Sequence, residues 1–111
     1  MLILLDENLL SKKLKQPFLV KGYVEDMGWR GFKDREILDL AEKYPFNVFI
    51  TADKNLRYQQ NLAGKILRIV ILDSRSTRPN CLLPLMEQIS GIITSLPAGA
   101  LISINDIGEV K

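Results

Sequence analysis

Leu2-Ile3-Leu4-Leu5-Asp6-Glu7-Asn8 is the stretch that decides the fold: an apolar run that ends in acid, one residue, asparagine. The pattern returns at Val48-Phe49-Ile50-Thr51, which leads through Ala52 into Asp53-Lys54-Asn55. Short β-rich runs of this kind read as strands buried on both faces of a parallel sheet. In an open parallel sheet, ligands bind beyond the carboxyl ends of the strands. If the two strands lie near each other, Asp6 and Asp53 meet at one edge. Two carboxylates about 5 Å apart at an effective dielectric of about 20 repel by roughly 3 kcal/mol, or about 2 pK units. A divalent cation or a shared proton relieves that repulsion.

Working outward, the spacing predicts a short helix over Leu9–Gln16, capped by Asn8 and ended by Pro17. A weak second strand is expected at Gly22–Asp26, followed by a loop at Gly28-Trp29-Arg30-Gly31. Asp34 reads as the N-cap of a helix over Arg35–Tyr44, with Ile37, Leu40, Ala41 and Tyr44 at helical spacing. Asn47–Thr51 is the third strand, and a helix from Lys54 to Ala63 follows, with Gly64 at its C-cap. Leu67–Leu72 is the fourth strand. Asn80–Leu96 is the longest helix, with Leu82, Leu85, Met86, Ile89, Ile92, Ile93 and Leu96 as its apolar stripe and Pro84 in its first turn. Leu101–Ile104 is the fifth strand, and Glu109–Lys111 a short final one. This alternation argues for one α/β domain of three layers over residues 1–111, with right-handed crossovers.

Composition narrows the chemistry. The chain has 111 residues, a net charge of +2, one cysteine and no histidine. A single cysteine excludes an internal disulfide and fits a reducing compartment. The lack of histidine excludes His-based triads and the usual zinc sites. Catalysis is left to carboxylates, lysine, tyrosine or metal-activated water. The small net charge does not by itself imply nucleic-acid binding. The first residues lack the basic segment and long apolar core of a signal peptide, and no apolar stretch is long enough to span a bilayer. A cytoplasmic location without membrane attachment is the expectation.

Asp6 and Asp53 are the leading site candidates, each immediately after a strand; the bland alternative for both is helix capping. Glu36 faces away from the Ile37/Leu40/Ala41 stripe, so packing does not require it, and it could reach over the same edge. Three carboxylates suit one or two Mg²⁺ or Mn²⁺ ions, which prefer oxygen ligands. Asn8, Lys54, Asn55, Arg75 and Arg78 are candidates for substrate contact, the two arginines because guanidinium binds phosphate bidentately. Glu7, Asp34 and Asp73 are lesser acids. Lys12, Lys13 and Lys15 read as a solvated face, Trp29 as loop packing and Cys81 as core or near-core.

These residues resemble the small PIN-like family in Leu2–Asn8, in Gly28-Trp29-Arg30-Gly31 with Asp34-Arg35-Glu36-Ile37-Leu38, and in Ile50-Thr51-Ala52-Asp53-Lys54-Asn55. The resemblance covers nearly the whole chain. It implies an α/β/α sandwich with a mostly parallel five-stranded sheet of order 3-2-1-4-5. It also implies an Mg²⁺- or Mn²⁺-dependent ribonuclease, the toxin of a toxin–antitoxin pair in many relatives. Carried over by position, Asp6, Glu36 and Asp53 are the catalytic, metal-binding acids. RNA, a cognate antitoxin protein and a second copy of the chain are the implied partners. Many relatives have a second Asp where Asn55 stands here, so this chain carries one negative charge fewer. That difference keeps open a second reading, a non-catalytic PIN-like scaffold that binds a protein or RNA. A phosphoacceptor receiver domain, with its own acid pair and Asp, is disfavoured because no lysine ends the fifth strand.

Overall fold

The computed structural model of the chain describes residues 2–9, 21–23, 27–29, 31–54, 56 and 66–111. The expected helices over Leu9–Gln16 and Lys54–Ala63 lie mostly outside the described residues, as does Asn55. Strands β1 (Ile3–Leu5), β3 (Val48–Thr51), β4 (Arg68–Asp73) and β5 (Leu101–Asn105) form a parallel sheet, and β2 (Lys21–Tyr23) pairs parallel to β1 at its edge. Helix α1 spans Asp34–Lys43 and helix α2 spans Pro79–Ile92, with a 3₁₀ turn at Ile93–Ser95. The final segment makes one antiparallel bridge, Ile104 to Val110, flanked by reciprocal Ser103–Lys111 hydrogen bonds of 3.1 and 2.9 Å.

The strand order is β2-β1-β3-β4-β5, rather than the expected 3-2-1-4-5. The expectation separated the first and third strands; here they are direct partners, with Ile3 opposite Val48 and Leu5 opposite Ile50. The ladder continues past the strand, because the Asp6 N–H donates to the Ile50 carbonyl at 3.0 Å. In this order the chain leaves β1 to one side for β2 and then returns to the other side for β3. The crevice between β1 and β3 is therefore the switch point of the sheet.

Alternation along the strands divides the core in two. Ile3, Leu5, Val48, Ile50, Val70 and Leu72 face one way and pack under Leu82, Leu85, Met86 and Ile89 of α2. Leu4, Phe49, Ile69 and Ile71 face the other way and pack under Ile37, Leu38 and Ala41 of α1. Both faces are apolar because both are covered, which explains the unbroken hydrophobic runs. Each fully buried Leu, Ile or Phe contributes about 1.5–3 kcal/mol against exposure. The connections β2-to-β3 and β4-to-β5 advance in the same direction across the sheet, yet α1 and α2 lie on opposite faces. The two crossovers are thus of opposite hand, and one departs from the right-handed rule.

Local corrections follow from packing. Lys33, not Asp34, is the N-cap of α1, and the Glu36 carboxylate accepts the Lys33 N–H at 3.3 Å. Leu38 belongs to the buried stripe of α1, while Tyr44, just beyond its end, is 57% exposed. Cys81 is exposed rather than near-core, because the stripe Leu82, Leu85, Met86, Ile89 turns it outward. Trp29 packs as expected, edge-on to both Tyr44 and Phe46 with ring centroids 6.2 and 6.1 Å away. Among the described residues no helix is long and apolar enough to cross a membrane.

Candidate functional site at the carboxyl edge

Asp6 follows β1 directly and Asp53 follows β3 after one intervening residue, so adjacent strands deliver both acids to the same edge. Asp6 is only 5% exposed although it bears a carboxylate. Two donors hold it. The Thr51 hydroxyl donates to Asp6 Oδ2 at 2.6 Å, and the Glu7 N–H donates to Asp6 Oδ1 at 2.8 Å. The second bond joins neighbouring residues at the entrance to the 3₁₀ turn Glu7–Leu9.

Thr51 is itself completely buried, and its oxygen also accepts the Asp53 N–H at 3.0 Å. One hydroxyl therefore ties the two acidic positions together. Burial raises the Asp6 carboxyl above its usual pKa. The bonds from Thr51 and Glu7 oppose that rise, while the charges of Glu7 and Asp53 add to it. The charge of Asp53 is the smallest of these contributions.

Glu36 is exposed at the start of α1, and its carboxylate serves the helix cap. Asp6, Glu36 and Asp53 do not form the expected three-carboxylate group; among the described residues no grouping of three or more His, Cys, Asp or Glu side chains could hold a metal. Glu7 is exposed beside Asp6, and Asn8 lies in the 3₁₀ turn. Asp34 opens α1.

The other candidates gather at the ends of β4 and β5. Lys54 Nζ lies 3.6 Å from Asp73 Oδ1, with both side chains 51% exposed. Arg75 and Arg78 are exposed in the loop between β4 and α2. That loop is braced by Asp106, whose carboxylate accepts the Arg75 N–H at 3.0 Å. A bond from the Ser74 hydroxyl, together with the Arg75 N–H, lowers the Asp106 pKa.

Sequence reasoning missed Thr51 and Asp106 as members of this edge. A hydroxyl at the last position of an otherwise apolar buried strand was the available signal for Thr51. Comparison with protein-family models, with curated proteins and with solved structures yields no match.

Proposed function

We infer that this chain is a divalent-cation-dependent ribonuclease of the PIN-like type, working at the crevice between β1 and β3. The observation that carries the reading is the buried Asp6 carboxylate, held by a Thr51 hydroxyl that also accepts the Asp53 N–H. A buried acid at a sheet switch point is a costly arrangement that packing alone does not require. Its donors fit a hard cation in kind, being carboxylate oxygens.

Asp6 and Asp53 would hold the ion, and Glu36 would complete the set by leaving its cap bond. A bound Mg²⁺ or Mn²⁺ supplies Lewis-acid activation of water and neutralises charge on a phosphodiester. The chain's own contribution is orientation: Thr51 fixes one oxygen of Asp6, leaving the acid a defined direction. Lys54, Arg75 and Arg78 offer positive charge to the RNA backbone. A cognate inhibitor protein over the same edge belongs to this reading, as in toxin–antitoxin pairs.

The test is Mn²⁺-dependent cleavage of single-stranded RNA by the purified protein. Cleavage that persists unchanged in Asp6→Asn and Asp53→Asn proteins would remove these residues from the chemistry. The missing three-acid group among the described residues favours a second reading, a scaffold that binds RNA or protein without cutting. RNA binding with no cleavage at any Mn²⁺ concentration selects it.

A further inference from the structure

A second feature shares the carboxyl edge. A cavity of about 270 Å³ opens where β4 and β5 end, lined by Lys54, Asp73, Arg75, Asn105, Asp106 and Ile107. Asp73 and Asn105 are register partners at the last paired position of these strands, so the sheet edge forms its floor. β3 lies between β1 and β4, and Lys54 directly follows Asp53, so the cavity adjoins the acid pair. The two crevices are separated by about two strand spacings, roughly 10 Å.

The four charges around the cavity are not equivalent. Asp106 is committed to the Arg75 N–H at 3.0 Å, where it braces the loop. Lys54 and Asp73 are 3.6 Å apart and half-exposed. An exposed pair of that kind contributes little, so an arriving anion can take Lys54 over. The Arg75 side chain is exposed at the rim, and a guanidinium matches phosphate oxygens bidentately. Ile107, also in the lining, is 80% exposed and offers an apolar surface there. The volume lies just under the range of about 300–1,000 Å³ typical of small-molecule pockets, enough for one small ligand.

We propose that this cavity is a mononucleotide subsite in which Lys54 and Arg75 take the phosphate and Ile107 packs against the base. The assignment rests on the ribonuclease reading, where the subsite holds the nucleotide next to the bond presented to Asp6 and Asp53.

The experiment is calorimetric titration of adenosine 5′-monophosphate into the intact protein with EDTA present, beside inorganic phosphate and adenosine alone. The nucleotide should bind at least about tenfold more tightly than either fragment. Lys54→Ala and Arg75→Ala should each weaken it several-fold. Ile107→Ser should weaken the nucleotide while leaving phosphate unchanged. Equal affinity for nucleotide and phosphate, or full binding by Arg75→Ala protein, overturns the subsite. Nucleotide binding without RNA cleavage counts against the ribonuclease reading alone; cleavage without nucleotide binding counts against the subsite alone.

Discussion

Thr51 donates its hydroxyl hydrogen to Asp6 Oδ2 at 2.6 Å across a distance of 45 residues in sequence. The same oxygen accepts the Asp53 N–H, so β3 reaches across to β1 and fixes the acid there. Thr51→Val keeps the shape of the side chain and removes both interactions. It should cost about 1–3 kcal/mol, the usual penalty for leaving a buried polar group without its partner. Thr51→Ser should recover most of that. Urea unfolding of the three proteins at neutral pH is the check, and a Val variant as stable as the parent would show that the hydroxyl's two hydrogen bonds add no stability.

The raised pKa of Asp6, caused first by burial, sets a pH dependence with a definite sign. The folded state binds the proton more tightly than the unfolded chain does. Its stabilising contribution is complete below the unfolded pKa and is lost as pH rises through the folded value. Stability should therefore fall across the mildly acidic range above the ordinary Asp pKa. Asp6→Asn should flatten that fall. Parallel pH–stability curves for the two proteins, measured by urea titration, would refute the assignment.

Much of this architecture was legible in the residues, for physical reasons. Leu2–Leu5 and Val48–Thr51 read as buried strands because helices cover both faces of the sheet, leaving no polar alternation. The stripe from Leu82 to Ile89 gave α2 by its spacing. The strand order was less accessible, since parallel strands are joined by long connections that do not record which neighbour they choose. The bond that links Asp6 to Thr51 was hidden for a related reason. A threonine in a strand looks like an ordinary β-former until a second strand supplies the acid beside it. Asp106 reads as a turn residue until the loop after β4 is folded against it.

Glu36 separates capping from chemistry. Its carboxylate accepts the Lys33 N–H at 3.3 Å, a bond that glutamine can also make. Glu36→Gln should leave stability within about 0.5 kcal/mol, the usual range for an exposed substitution. If Glu36 completes the cation site, the same change should lower Mn²⁺-dependent cleavage at least about tenfold. Unfolding curves and cleavage rates on one preparation decide it, and undiminished cleavage would confine Glu36 to the helix cap.

Gly108 carries the turn that follows β5 and borders Asp106. Its φ is +84°, and a Cβ there would stand 2.8 Å from Gln88 Oε1. Gln88 Nε2 donates to the Gly108 carbonyl at 2.9 Å, latching the turn to α2. Gly108→Ala should destabilise the protein by about 1–2 kcal/mol, chiefly through the left-handed backbone. Denaturant titration measures it, and an unchanged midpoint would mean that the turn relaxes freely.

The most direct test of the acid pair is Mn²⁺ binding followed by electron paramagnetic resonance, with melting temperature recorded on the same samples. The parent protein should take up the ion and melt at a higher temperature. At a free concentration of a hundred times Kd the gain should be about 2.7 kcal/mol. Asp6→Asn and Asp53→Asn proteins should show neither the uptake nor the shift. Equal uptake by all three proteins, or no uptake by the parent at millimolar Mn²⁺, would contradict a cation site between β1 and β3.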